Sequence, residues 1–275
     1  MRRPWYAVGL AALCVAVVAP ANARATTTTA QVNMEATVLA AQIDPRRADN
    51  TLTPGAKSSV LAVEQALQAK GLLDAKWVDG YFGTLTVSAY AAYQRELGYT
   101  GLAANGLPGT TSLTKLGLNR YTVTNTIGPG AKVQRDGFVV NARTQAMLLE
   151  TQRLLGQTLV LEQGSYNPGG DPTSAGTHDG GGVVDISVTG MTAARRTAAA
   201  RALRQVGFAA WVRDPSQGDW PWHIHAVAIS DTDLSTQAQN QVGDYYLGMN
   251  GLANHGPDDG PRIPIKTWEQ YQRQQ

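Results

Sequence analysis

The hydrophobic positions in the first half of the chain follow the period of an α-helix. They predict helices over 58–71, over 84–97 and over a short stretch around 113–116, with Gly71 as the stop of the first. The apolar positions are Val60, Val63, Ala66, Leu67, Val87, Tyr90, Ala91, Tyr93, Leu97, Leu113 and Leu116. Three short amphipathic helices predict a small helical bundle.

Beyond Gly128-Pro129-Gly130 the pattern changes to short β-branched strands that alternate with helices. Helices are predicted over 144–155 and 193–206, and strands over 158–162, 183–188, 208–212 and 223–229. A loop rich in Gly, Asn and Pro connects the first two strands. This alternation predicts an α+β domain, a compact sheet with helices on one side.

The N-terminus has the pattern of a secretory signal peptide. Arg2 and Arg3 precede an apolar run from Trp5 to Ala19, and Ala21-Asn22-Ala23 supplies the small residues of a cleavage site. The apolar run is shorter than the roughly 20 residues that a membrane span needs. We therefore expect a secreted mature protein with no membrane attachment after cleavage. A monomer is the expected state, although no pattern in the sequence fixes it.

The remaining boundaries follow from composition. The stretch after the signal peptide is rich in Thr, Ala and Asn without a sustained period, which is typical of a flexible linker. The predicted organisation is a signal peptide 1–23, a flexible linker 24–56, a helical module 57–118, an α+β domain 119–240 and a C-terminal tail 241–275.

The cysteine content and the net charge limit which metal ligands and which partners the chain can have. The one cysteine, Cys14, lies in the signal peptide, so a transition-metal site in the mature chain must use imidazole and carboxylate ligands. The chain has 23 basic and 21 acidic residues, and two of the basic ones, Arg2 and Arg3, lie in the signal peptide. The mature balance is neutral and gives no electrostatic reason to expect a nucleic acid as partner.

Three of the four histidines fall in two short motifs. His178 precedes Asp185 by seven residues across a glycine run that lets the loop fold back over the strand. His223 and His225 begin a predicted strand, where period two points both imidazoles to one face. Two imidazoles and one carboxylate leave a fourth tetrahedral position for water, which is typical of catalytic Zn²⁺. We predict that the two motifs together hold a metal ion.

Several short motifs in the helical module occur together in a known wall-binding domain. They are Val63 to Gly71, Asp79-Gly80-Tyr81-Phe82-Gly83 with Thr86, Tyr93-Gln94 with Leu97-Gly98-Tyr99, and Gly106 to Gly109 with Leu113 and Leu116. In these motifs the module resembles the three-helix peptidoglycan-binding domain of many wall hydrolases. The resemblance implies peptidoglycan as the partner and a location at the cell wall.

With His178, Gly181, Asp185 and His225, the second half resembles the zinc D-alanyl-D-alanine peptidases. That family is related in fold to murein endopeptidases and to the Hedgehog signalling domain. The resemblance implies an antiparallel sheet and Zn²⁺ as cofactor, with His178, Asp185 and His225 as the predicted metal ligands. It also implies a role for His223 in stabilising the oxyanion or in proton transfer.

The chain departs from that family at several positions. Trp222 stands where a general base is common, so Asp219 is the predicted base. The family's carboxylate-binding segment corresponds to residues 163–167, which hold Ser165 and Tyr166 as predicted substrate-binding residues but no Arg. Trp220 and Trp222 adjoin the histidine pair and are predicted walls of the cleft.

These predictions describe a secreted zinc peptidase of peptidoglycan, and they leave carboxypeptidase and endopeptidase at equal weight. The alternative is a wall-binding protein without catalysis that retains the zinc-site scaffold, because an acid near His225 is missing. An amidase that cuts the sugar-peptide linkage is a third hypothesis.

Overall fold

The structure is a computed structural model that describes residue 1 and residues 30–275, so the predicted signal peptide lies outside the described residues. The helices are α1 (Met34–Ile43), α2 (Lys57–Ala69), α3 (Thr84–Glu96), α4 (Thr110–Leu116), α5 (Ala142–Leu155), α6 (Ala193–Val206), α7 (Thr236–Tyr246) and α8 (Trp268–Gln272). The strands are β1 (Ala30–Asn33), β2 (Tyr121–Thr124), β3 (Lys132–Arg135), β4 (Phe138–Asn141), β5 (Leu161–Gln163), β6 (Val183–Ser187), β7 (Phe208–Arg213) and β8 (His223–Ala228). Among these described helices, none combines the length and apolar character needed to cross a bilayer.

The fold is α+β, as predicted. The three predicted N-terminal helices are present as α2, α3 and α4, and the two predicted later helices as α5 and α6. The four predicted strands form one antiparallel sheet in the order β5-β6-β8-β7. Two smaller pairs were not predicted: β1 with β2, which is parallel, and the hairpin of β3 and β4.

The predicted linker over 24–56 is wrong for its described part. Met34–Ile43 is a helix that begins at Asn33, whose Oδ1 accepts a hydrogen bond of 3.3 Å from the Ala36 amide. Met34, Val38 and other residues of this helix have no exposed surface. Seven of its ten residues are buried and the other three are half-buried, so burial is not confined to one face and the sequence shows no clear amphipathic stripe.

The four-stranded sheet uses its two faces differently. Val184, Ile186, Ile224 and Ala226 point to one face and pack in a core with α5 and α6. Val183, Ala209 and Val227 point to the other face and pack in a core with Ala238 and Val242 of α7. The predicted arrangement with helices on one side is therefore incomplete, because α7 covers one end of the second face. The uncovered end of that face is open to a cleft.

One hydrophobic core joins the N-terminal helices to this sheet. Residues of α1, α2, α3 and α4 belong to the same buried cluster as Val183, Val227 and Val242. The predicted boundary at 240 falls inside α7, and the segment that follows is docked on the rest of the chain. Arg204, for example, donates bidentate hydrogen bonds of 2.9 and 2.7 Å to Asp258.

A buried carboxylate holds the turn between α2 and α3. Glu64, with no exposed surface, accepts hydrogen bonds from the Asp79 and Gly80 amides at 3.0 and 2.7 Å and from the Thr86 hydroxyl at 2.9 Å. Burial raises the pKa of Glu64 from 4.5 to about 7, although its hydrogen bonds favour the charged form.

This carboxylate predicts a pH dependence of stability. Between pH 4.5 and about 7 the folded chain holds a proton on Glu64 that the unfolded chain has released, so the free energy of unfolding falls as the pH rises through this window. Glu64→Gln keeps an acceptor for the turn but cannot titrate, and we expect it to remove this decline. Urea unfolding at both ends of the window measures it.

The matched control is Glu96→Gln, which removes a half-exposed carboxylate that is paired with Lys70 at 3.2 Å. The control should keep the pH dependence of the unaltered chain. An equal decline in the Glu64→Gln variant would contradict the prediction.

Candidate metal centre

The two predicted motifs meet at one point of the sheet's open face. His178, Asp185 and His225 each offer a ligand atom, and these atoms all lie within 4.8 Å of one another. Both histidines are buried, whereas 13% of the Asp185 side chain is exposed. Among the described residues this is the one group of three or more such side chains that could hold a metal ion.

Strand register and a tight loop bring the three side chains together. Asp185 on β6 and His225 on β8 are direct partners in the antiparallel ladder, so both point to the same face. The loop before β6 turns sharply at Gly182, whose φ of +76° favours glycine. Gly180 lies so close to the backbone of Asp233 that a Cβ would collide with it. This close approach holds His178 over the start of β6.

Hydrogen bonds fix which ring nitrogen of His178 faces the centre. Its Nδ1 lies 2.8 Å from the Gly164 carbonyl oxygen, which can only accept, so Nδ1 carries the hydrogen. Its Nε2 is buried, lies 3.2 Å from Asp185 Oδ2, and makes no hydrogen bond to a described residue. A buried lone pair without a partner suits a bound cation.

His225 is oriented from the other side by a glutamine of α7. Gln241 donates its amide hydrogen to the Gly251 carbonyl at 3.1 Å, so its Oε1 faces His225 Nε2 at 2.9 Å and accepts the ring hydrogen. The Nδ1 of His225 therefore keeps a lone pair, 2.8 Å from Asp185 Oδ1. Two imidazole lone pairs and a carboxylate converge, a donor set that suits a divalent transition metal.

The charges of the group reinforce one another. Burial alone would raise the pKa of Asp185, but His178 and His225 lower it well below its usual range. Burial opposes the charged form of His178, yet Asp185 raises its pKa above the usual value. For His225 burial prevails, and its pKa is lowered. Asp185 is therefore ionised at neutral pH and available as a ligand.

Two other predicted residues line the same cleft, which has a volume of about 370 Å³. His223 lies with its Nδ1 2.8 Å from the Pro221 carbonyl oxygen and its Nε2 3.9 Å from Asp185 Oδ1. Trp220 packs edge-on against the His223 ring, with 6.3 Å between the ring centroids. His223 thus lies beside the metal group without belonging to it.

Four predicted site residues lie away from the cleft. Asp219 is exposed and does not line it; it lies in the loop before β8, with Pro221 between it and the strand. Trp222 is 44% exposed and packs under Arg196, 4.3 Å from the guanidinium carbon to the ring centroid. The period of two explains this, because Trp222 and His223 point to opposite sides of the chain.

Ser165 and Tyr166 fix the loop that carries His178 and do not line the cleft. The buried Ser165 hydroxyl donates to the Val183 carbonyl at 2.7 Å, and the Tyr166 hydroxyl donates to Asp233 at 2.7 Å. The main-chain amide of Tyr166 donates to the Gly180 carbonyl at 2.7 Å. The segment resembles a substrate-binding motif in sequence, but in this structure its hydrogen bonds hold the loop that carries His178.

The cleft also holds residues that the sequence did not single out: Glu162, Gln163, Asp171, Arg213, Gln241 and Gly251 to Ala253. Arg213 lies one residue beyond the predicted strand 208–212, and the observed strand includes it. Continuing the period of two would have placed it on the same face as Trp211. Gln241 and the Gly251 segment carried no such signal, because their contacts depend on how the tail folds back. Burial lowers the pKa of Arg213 to about 10, so it stays charged at neutral pH.

Gln241 offers a test of how the centre is built. Gln241→Ala removes the acceptor that orients His225, and we expect the affinity for Zn²⁺ to fall about 10- to 100-fold, the usual effect of losing such a partner. Competition with a chromophoric chelator measures the affinity. Asn240→Ala, at the neighbouring exposed position of α7, is the control and should keep it. Equal affinities of the two variants would contradict the assigned orientation.

No protein-family model, curated protein or solved structure matches this chain. The chemistry of the site therefore follows from its own residues. Two imidazole nitrogens and a carboxylate could hold a metal ion at the floor of a cleft wide enough for a ligand.

Proposed function

We propose that this protein is a secreted zinc-dependent peptidase that hydrolyses a peptide bond in bacterial peptidoglycan. The observation that carries the proposal is the convergence of His178, Asp185 and His225 beneath an open cleft, with His223 beside them. The resemblance of these motifs to the zinc D-alanyl-D-alanine peptidases supplies the reaction and the related fold. The resemblance of the helical module to peptidoglycan-binding domains supplies the substrate.

The donor set fits zinc. Zn²⁺ prefers histidine and carboxylate ligands when thiolates are absent, and three protein ligands are typical of its catalytic sites. Bound there, the ion would lower the pKa of a water molecule toward about 7 and polarise the carbonyl that is attacked. The unpartnered Nε2 of His178 supports a bound ion, since a buried polar atom without a partner is costly.

His223 is the proposed catalytic residue. Its Nδ1 hydrogen is held by the Pro221 carbonyl, so its Nε2 is the atom that faces the reaction. In the neutral ring this Nε2 can accept a proton, and once protonated it can donate a hydrogen bond to the oxygen on which negative charge develops. Trp220 packs against the ring and restricts its rotation.

Asp171 replaces Asp219 in this proposal as the second carrier of the proton. Asp171 lines the cleft, and it lies close enough to His178 for its charge to help raise the pKa of that ring. Asp219 has neither property. Asp171 begins a short turn in which its Oδ1 accepts from the Thr173 amide and hydroxyl, at 2.8 and 2.7 Å. These bonds lower the pKa of Asp171, so the carboxylate is ionised at neutral pH, and they engage Oδ1 and not Oδ2.

The proposed wall-docking surface is a groove of about 400 Å³ beside the turn held by Glu64. Trp77 and Leu85 line it and are 42% and 47% exposed. Tyr81 lines it as well, and its one hydroxyl hydrogen is shared between the Asp44 and Arg47 carbonyls, which fixes the ring. An exposed, flat indole suits the apolar face of a sugar or a peptide side chain.

Hydrolysis tests the proposed reaction. The purified mature chain with Zn²⁺ should release peptides from peptidoglycan, as detected by mass spectrometry, and a chelator should abolish the release. His223→Gln should keep the affinity for Zn²⁺ and lower kcat about 10²- to 10³-fold, the cost of losing one transition-state donor. Peptide release that is unchanged by the chelator would exclude the zinc mechanism.

The product masses separate the alternatives. Loss of one terminal residue identifies a carboxypeptidase, an internal cut an endopeptidase, and whole stem peptides freed from the sugar an amidase. No release by a chain with zinc fully bound would favour the wall-binding protein without catalysis.

Docking is tested apart from chemistry. Trp77→Ala should weaken co-sedimentation of the chain with insoluble peptidoglycan by at least about tenfold, since a buried aromatic contributes on the order of 1.5–3 kcal/mol. It should leave the affinity for Zn²⁺ and the turnover of a short soluble peptide unchanged. Leu154→Ala, at an exposed apolar position of α5, is the control. Unchanged co-sedimentation of the Trp77→Ala variant would place the docking surface elsewhere.

A further inference from the structure

The cleft is lined by hydrogen-bond donors that have no partner. Nine buried side-chain nitrogen or oxygen atoms of the described residues make no hydrogen bond, and five of the nine belong to residues of this one cleft. They are Nε2 of His178, Nε2 of Gln163, both terminal nitrogens of Arg213 and Nε1 of Trp220. A bound metal would account for His178. The other four atoms all donate, so they call for a ligand that presents acceptors.

Among these residues, Arg213 is the one whose missing partner most reduces the stability of the folded chain, because it carries a charge. Three arginines are buried in the described part of the chain. Arg143 donates to Glu269 and to the Ile229 carbonyl, and Arg204 donates to Asp258 and to two carbonyls. Arg213, only 2% exposed, has no hydrogen bond at either terminal nitrogen. A buried charge without a partner is strongly destabilising.

The acidic residues near Arg213 do not accept hydrogen bonds from its terminal nitrogens. Asp258 is engaged by Arg204, and Asp259 accepts from Gln217 at 3.0 Å. Asp185, the third acid whose charge acts on Arg213, faces the two histidines. The Arg213 guanidinium carbon lies 5.0 Å from the centroid of the Trp211 ring, a cation–π contact that orients the planar group. The guanidinium is thus held in place but is not paired within the chain.

Strand register places Arg213 beside the proposed reaction. On β7 and β8, Trp211 pairs with His225, and Arg213 pairs with His223. Directly paired residues of an antiparallel ladder point to the same face with Cα atoms about 5 Å apart. The guanidinium therefore belongs to the strand next to the one that carries His223, on the β7 side of the three proposed metal ligands.

We propose that Arg213 binds a carboxylate of the substrate. The guanidinium offers two parallel N–H groups, the fork that matches a carboxylate. This inference rests on the proposed function and narrows it, because the peptide that is cut must carry a negative charge on the β7 side of the scissile bond. The charge has two sources, a free C-terminus next to that bond or the side chain of an acidic residue in a longer stem peptide.

Binding to the metal-free chain tests the inference without hydrolysis. The probes are acetyl-lysyl-D-alanyl-D-alanine, the same peptide with a C-terminal amide, and an amidated peptide of equal length whose one carboxylate is on a D-glutamyl residue. Isothermal titration with the chelator-treated mature chain should show one of the two carboxylate probes binding at least about tenfold more tightly than the neutral amide. The preferred carboxylate identifies the source.

Arg213→Gln should abolish this preference, whereas Arg213→Lys should retain part of it because the charge remains but the fork does not. Arg201→Gln, at an exposed position of α6, is the matched control and should bind like the unaltered chain. Thermal unfolding checks that the Arg213→Gln variant is folded, which we expect because the substitution removes an unpaired buried charge.

The outcomes separate this inference from the proposed function. Equal binding of all three probes, no binding of any, or a preference that survives in the Arg213→Gln variant would overturn the carboxylate site. If the zinc-loaded chain still cut peptidoglycan in any of those cases, the peptidase would stand without it. A preference that depends on Arg213, in a chain that hydrolyses nothing with zinc bound, would support the carboxylate site and contradict the peptidase.

Discussion

Three electron-pair donors held together below the surface are the constraint on which this structure depends. His178, Asp185 and His225 cannot separate, because the ladder between β6 and β8 fixes two of them and a glycine loop fixes the third. Each ring is oriented by an acceptor on its far side, the Gly164 carbonyl or the Gln241 amide. Such a group is stable only with a cation or shared protons at its centre. The surrounding fold is arranged to hold this unfavourable cluster rigid.

The two faces of the four-stranded sheet have different roles, and this difference allows the buried polar cluster to form. Val184 and Ile224 pack on α5 and α6, so one face contributes the apolar area that stabilises the domain. The other face is covered by α7 at one end only, and its open end can therefore carry polar side chains. Antiparallel strands tolerate this division because alternate residues belong to different environments.

The sequence predicted what depends on local pattern and missed what depends on distant contacts. The helix over 193–206 was predicted at both ends, because periodic apolar residues stop at Gly207, which adopts a positive φ. The metal group was predicted because strand period and a glycine run are local features. The buried helix α1 shows no stripe to detect. Two features depend on how the C-terminal segment folds back on the domain. They are the hydrogen bond that orients His225 and the lack of a partner for Arg213, and neither can be predicted from residue spacing.

The shared core has a mechanical consequence. In the described residues α1 packs against both the N-terminal helices and α7, so the groove at Trp77 and the cleft at His223 belong to elements that share one core. Under the proposed function, a strand of wall material gripped at the groove would be presented to the cleft at a constant offset. The spacing of successive cuts would then be set by the fixed distance between the groove and the cleft. With a flexible tether between them, the length of the tether would set it instead.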